Sequence, residues 1–203
     1  MKIKLLLPAL FTLSIYSQQI PIDFSSDEDN FIGFSGSDFD FRSSSPASVS
    51  NRAGQFNNNG QNTIQGFYID FSQPLVINDG NKGFSLQFYA FDPLSHSVLL
   101  KLENDGNIVP DVQVKTTISN PSASNWITVL FDFSNALDSD TGLPVTANGS
   151  YSRLSVFIDD DSSQAGTYII DDITNGDTPS PPDNPNDIDV VYDVLVWSDE
   201  FNT

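Results

Sequence analysis

Between Ile20 and Thr174 the apolar residues recur with a period of two in short runs, and no stretch carries the three-and-four spacing of a helical stripe. That alternation dictates strands with one buried face. The runs are IPIDFS, NTIQGFYIDF, GFSLQFYAF, SVLLKLEN, VQVKTTI, NWITVLFDF, YSRLSVFID and GTYIIDDI, punctuated by turn-forming stretches such as NDGNKG, ENDGN, SNPSASN and NALDSDTGLP. Eight or so antiparallel strands over this length predict an all-β fold, a jelly-roll β-sandwich. Alternation also assigns faces. It sends Phe84, Leu86, Phe88 and Ala90 inward with Val98, Leu100, Leu102, Leu154, Val156 and Ile158. It sends Ser85, Gln87, Tyr89, Phe91, Leu99, Lys101, Glu103, Gln113, Lys115, Thr117, Arg153, Ser155, Phe157 and Asp159 outward.

Charge and composition remove several functions. With 27 Asp plus Glu against 8 Lys plus Arg, the net charge of −19 repels phosphate backbones and anionic lipid, so nucleic acid is not expected as a partner. There is no cysteine and one histidine, His96, which leaves no disulfide, no thiol nucleophile and no multi-histidine metal site. His96 falls in FDPLSHS and reads as a surface-loop residue. The 16 phenylalanines supply ample material for a core in a chain of 203 residues.

The two ends differ from the body. Residues 1–17 carry Lys2 and Lys4 before an apolar run from Leu5 to Tyr16 that stops at Ser17, the pattern of a secretory signal peptide. A secreted, extracellular protein is the expectation, a monomer without a membrane span, since no other segment approaches the ~20 apolar residues that crossing requires. Residues 20–175 form the sandwich, and 176–192, rich in Pro, Asp and Asn, read as an extended linker. Residues 193–203 return to strand composition, as if opening a second domain.

The segment LVWSDEFNT, Leu195 to Thr203, resembles the opening strand of the catalytic domain of glycoside hydrolase family 16, the laminarinase, lichenase and agarase family. The resemblance implies a catalytic domain truncated after Thr203. That family uses two glutamates of one strand, about 5 to 5.5 Å apart, as nucleophile and acid/base. The three glutamates here, Glu28, Glu103 and Glu200, are far apart in sequence, so the chain as it stands is expected not to be an enzyme. The body, from IPIDFS through FSLQFYAFDP and NWITVLFDFS to YIIDDI, resembles the carbohydrate-binding-module-like β-sandwich that precedes such domains in secreted Bacteroidetes proteins. What this implies is a galactose-binding-like module that targets an enzyme to polysaccharide, a β-glucan such as laminarin. The alternative is a structural spacer or adhesion module that binds no sugar.

Sugar recognition needs an aromatic face for the pyranose ring and amide, carboxylate or guanidinium groups for its hydroxyls. The outward residues of those types, Tyr89, Phe91, Gln87, Lys101 and Arg153, are the candidates, with Trp126 at the start of its strand as a sixth. Jelly-roll modules of this kind hold a structural calcium between first and last strands. Asp23 and Asp172 are the candidate ligands, with Asp171 directed to the opposite face from Asp172. No EF-hand loop is present, and the Asn148-Gly149-Ser150 sequon carries no weight on its own.

Overall fold

The computed structural model describes residues 20–44, 46, 52–104, 106, 109–119 and 125–176. The signal-peptide, most of the linker and the closing-strand assignments therefore lie outside the described residues. Among the described residues, twelve strands and one 3₁₀ turn build two antiparallel sheets. The seven-stranded sheet has the order β1 (Ile32–Phe34), β4 (Gly66–Ile77), β11 (Gly149–Ile158), β6 (His96–Glu103), β7 (Val112–Ile118), β9 (Ala136–Asp138), β10 (Pro144–Val145). The five-stranded sheet runs β2 (Ser37–Arg42), β3 (Ala53–Asn59), β12 (Ala165–Asn175), β5 (Gly83–Ala90), β8 (Ile127–Asp132). This is the jelly-roll β-sandwich expected from the alternation.

The inward sets meet as expected. Phe84, Leu86, Phe88 and Ala90 from one sheet and Val98, Leu100, Leu102, Leu154, Val156 and Ile158 from the other are all buried in one core. Phe56 of β3 and Phe67 of β4 join the layers edge to face, centroids 4.5 Å apart, a geometry that adds to plain area burial. The N-terminal segment closes the core: Ile22 bridges Ile173 of β12 through paired backbone hydrogen bonds, and Phe24 lies fully buried beside Phe56. IPIDFS is thus a single bridge rather than a full strand.

Five strands escaped the sequence pattern. In β3, AGQFNNN, the outward places belong to amides, and β1, β2, β9 and β10 are short or punctuated by Asp and Pro.

His96 corrects the sequence reading outright. It is not a loop residue but the first residue of β6, 1% exposed, and it lies against Phe88 and Tyr168 with centroids 5.9 and 5.1 Å away. The Asp and Ser that flank it resemble a turn in sequence; in space, carboxylates compensate its burial.

Candidate functional site

The six candidate sugar contacts do not converge. Gln87 and Tyr89 of β5, with Phe91 and Trp126 beyond the strand ends, lie on the outer side of the five-stranded sheet. Lys101 of β6 and Arg153 of β11 lie on the outer side of the other sheet, with the whole core between the two groups. On the first face Tyr89 is only 7% exposed; it packs on Ala53, Ile169 and Trp126, so its ring serves a small apolar cluster rather than an open platform. Gln87 hydrogen-bonds Thr128, and Phe91, 46% exposed, lies 5.5 Å from the Arg42 guanidinium.

The seven-stranded sheet carries the open ground. Its outward residues come from adjacent strands in register: Tyr68 and Asp70 of β4, Arg153, Ser155 and Phe157 of β11, Leu99, Lys101 and Glu103 of β6, and Gln113 and Lys115 of β7. Two cavities open here. The larger, about 520 Å³, has Ile64, Phe157 and the buried Leu99 among its apolar lining residues. Its polar side comes from Lys101, Gln113, Ser139, Asp140, Asp160 and Asp161. The second, about 440 Å³, is lined by Asp70, Phe71, Glu103, Asn104, Ser152 and Arg153. It opens where the register of β11 against β4 shifts between Tyr151 and Arg153, a bulge that re-aims the Arg153 side chain.

Phe157 owes its place to a missing side chain. It stands edge to face with Phe34, centroids 5.6 Å apart, and both rings rest on Gly66, where a Cβ would come within 2.6 Å of Phe34 and 2.8 Å of Phe157. A glycine in the strand lets the rings descend onto the backbone and form one apolar wall.

All three cations of this face are committed to carboxylates. Arg153 donates to Asp70 through Nε at 2.7 Å and Nη2 at 3.2 Å, with its guanidinium 4.0 Å over the Tyr68 ring. Lys101 Nζ lies 3.2 Å from Asp111 and 3.5 Å from Glu103, whose carboxylate also accepts from Ser155 Oγ. Lys115 Nζ lies 2.8 Å from Asp160 and 3.5 Å from Asp161. Hydrogen bonding to Asp70 raises the Arg153 pKa, and the Asp160 and Asp161 partners raise that of Lys115 against the opposing effect of desolvation. Among the described residues, the face holds six carboxylates, Asp70, Glu103, Asp111, Asp140, Asp160 and Asp161, against those three cations. Asn104 Oδ1 and Ser139 Oγ, one in each cavity, are buried without a hydrogen-bond partner. Its chemistry is that of an acceptor-rich, apolar-backed groove with negative charge in excess. Sequence reading identified Lys101 and Arg153 but passed over Tyr68, Phe157 and Gln113 as a set, because which strands are neighbours is not written in the local pattern.

The two candidate metal ligands lie in segments joined by one backbone bridge. Asp23 and Asp172 flank the Ile22–Ile173 bridge, where β12 breaks register and Asp172 turns to φ 47°. Burial, then the Asp23 charge, raises the Asp172 carboxyl; hydrogen bonds from the Ser25 hydroxyl and N–H lower that of Asp23. Two carboxylates would supply only part of the oxygen shell of a calcium ion. No cluster of three His, Cys, Asp or Glu suited to a metal occurs among the described residues, so backbone or amide oxygens would have to complete the shell.

No family model matches the chain, and no curated protein matches it. Solved structures do. A carbohydrate-binding module of family 28, described as specific for non-crystalline cellulose, superposes with TM-score 0.55 at 10% identity, over 79% of this chain and 96% of that one. The solution structure of the family 11 module CtCBM11 gives 0.53 at 12% identity, over 74% and 90%. The agarase AgWH50C gives 0.54 at 12% identity, but the match spans 77% of this chain and only 26% of the enzyme. At these identities the likeness is one of fold. No helix among the described residues is long and apolar enough to cross a membrane.

Proposed function

We propose that the chain is a secreted, non-catalytic polysaccharide-binding module whose ligand lies across the outer face of the seven-stranded sheet. The observation that carries the reading is the larger cavity, whose lining combines the apolar Ile64 and Phe157 with the acceptor groups of Gln113, Ser139, Asp140, Asp160 and Asp161. A pyranose has the matching halves: C–H faces for the apolar wall and O–H donors for the carboxylates, Gln113 and Ser139. Lys101 and Arg153 belong to this site as holders of its carboxylates; Tyr89, Gln87, Phe91 and Trp126 belong to the opposite face and are assigned packing roles.

Charge selects among polysaccharides. With the three cations paired and negative charge in excess, a sulfated or uronate polymer finds no uncommitted partner and meets repulsion. The reading is therefore a neutral β-glucan such as laminarin. The family 28 module of like fold, whose description names non-crystalline cellulose, supports it. Tethering to a family 16 glycoside hydrolase, as the LVWSDEFNT segment suggests, would raise the enzyme's effective concentration on its substrate. A calcium held by Asp23 and Asp172 would pin the N-terminal segment to β12.

Affinity electrophoresis of the full chain through gels containing laminarin, lichenan, xylan or agarose tests this. Retardation by the neutral β-glucans is expected. Unretarded migration in every gel would instead favour the spacer role, and release of reducing sugar would overturn the non-catalytic reading.

A further inference from the structure

Just past β11 the chain makes a turn in which Asp159 and Asp161 both take left-handed conformations, φ 55° and 66°. Such angles are costly for residues other than glycine and persist where surroundings impose them. Here the imposition comes from inside the protein. The Asp159 carboxylate, 8% exposed, meets His96 Nδ1 at 2.9 Å and accepts from the Tyr168 hydroxyl at 2.8 Å and from the Ser97 N–H at 2.9 Å. The backbone adds Asp159 N–H to Ser97 C=O and Asp161 N–H to Thr63 C=O. Directly beyond the node, Asp160 and Asp161 reach Lys115 and line the larger cavity together with Thr63.

The far side of His96 bears on protonation. Its Nε2 lies 3.1 Å from Asp92 Oδ1, so both ring nitrogens face carboxylate oxygens. A neutral imidazole has a single N–H and satisfies only one of them; an imidazolium satisfies both. The other groups packed on the ring, Phe88 and Tyr168, bring no positive charge. Burial opposes the charged ring, and the Asp159 hydrogen bond and charge, followed by those of Asp92, outweigh it and raise the His96 pKa.

We propose that Asp159 is the positioning residue of the larger cavity: clamped by His96, Tyr168 and Ser97, it holds the left-handed turn that sets Asp160 and Asp161 at the cavity edge, and the His96 bond to it is charge-assisted, with Asp92 satisfied at the same time, only while His96 is an imidazolium. The proposal rests on reading that cavity as the glycan site.

His96 is the one histidine of the chain, so its ring signals in the full-length protein are unambiguous. Nuclear magnetic resonance followed from the ordinary imidazole range upward in pH gives a readout independent of any sugar. Both ring nitrogens are expected to carry protons at the acid end. The backbone amides of Thr63, Asp160 and Asp161 should shift with the ring's own midpoint. Laminarin affinity should fall through the same midpoint by roughly ten-fold, the scale of one lost charge-assisted hydrogen bond. His96→Gln should abolish the midpoint in both the amides and the affinity. Tyr168→Phe, which keeps the imidazole, should weaken laminarin at every pH and retain a ring titration. A ring with one N–H at the acid end, amides that ignore the ring, or laminarin binding indifferent to the midpoint would each overturn the proposal. Amides that track the ring in a protein that binds no laminarin would support the hold on the turn and sink the glycan reading alone.

Discussion

Arg153 and Asp70 face each other across β11 and β4 in a two-point ion pair, at 2.7 and 3.2 Å, with the guanidinium 4.0 Å over the Tyr68 ring. The cation is spent within the protein, and what it provides to a ligand is an ordered carboxylate and a fixed ring. Arg153→Ala is expected to weaken laminarin binding while changing the unfolding free energy by less than about 1 kcal/mol, because the pair is substantially exposed. Isothermal titration and thermal melts on the same preparation check both halves.

Commitment of the cations predicts an unusual indifference to salt. Laminarin affinity should stay constant within a factor of about two between low and high salt, since no long-range attraction is there to be screened. Carrageenan and alginate should not retard the protein in gels at either salt concentration. Salt-sensitive retention by those anionic polymers would contradict the charge argument.

Gly66→Ala places a methyl group within 2.6 Å of Phe34 and 2.8 Å of Phe157. Both rings must lift from the sheet. A cost of about 1–3 kcal/mol from overpacking is expected, together with reduced laminarin affinity. A crystal structure of the variant should show the Phe157 ring displaced into the cavity.

At the Ile22–Ile173 bridge, the raised Asp172 carboxyl means that ionisation works against folding. The penalty is absent below the unfolded pKa near 3.8 and grows as pH rises through the higher folded value. Asp172→Asn should therefore raise Tm at neutral pH in calcium-free buffer. Added calcium should raise the Tm of the wild type and leave that of the variant unchanged.

His96 carries the opposite signature in sign of charge. Its raised pKa contributes stability that is fully present below the unfolded value of about 6.5 and is lost as pH rises through the folded value. Urea midpoints of the wild type should decline over that window, and those of His96→Gln should not. Asp159→Ala, which leaves the buried imidazolium with Asp92 alone and the buried Tyr168 hydroxyl without its partner, should cost about 3 kcal/mol.

The fold was legible because seven of the eight alternating runs became strands and their inward sets, Phe84, Leu86, Phe88 and Ala90 with Val98, Leu100 and Leu102, lie where period two sends them; of the residues it sends outward, Ser85, Tyr89 and Leu99 are covered and Asp159 turns its carboxylate in to His96. Strands such as β3, whose outward places hold Gln55 and Asn57, give no such contrast and are recognised only once β2 and β12 flank them. The site was legible in part. Alternation told that Tyr89 and Arg153 both point away from the core, but two sheets have two outer faces, and only strand order separates them. His96 was misread because burial of a polar ring depends on Asp159, sixty-three residues away in sequence.

Comparing Phe157→Ala with Phe91→Ala tests the central claim most directly, since each removes one solvent-reaching ring from one face of the sandwich. In laminarin affinity gels, Phe157→Ala should lose most of its retardation and Phe91→Ala should migrate as the unaltered protein does. The reverse pattern would place the glycan on the five-stranded sheet and contradict the account.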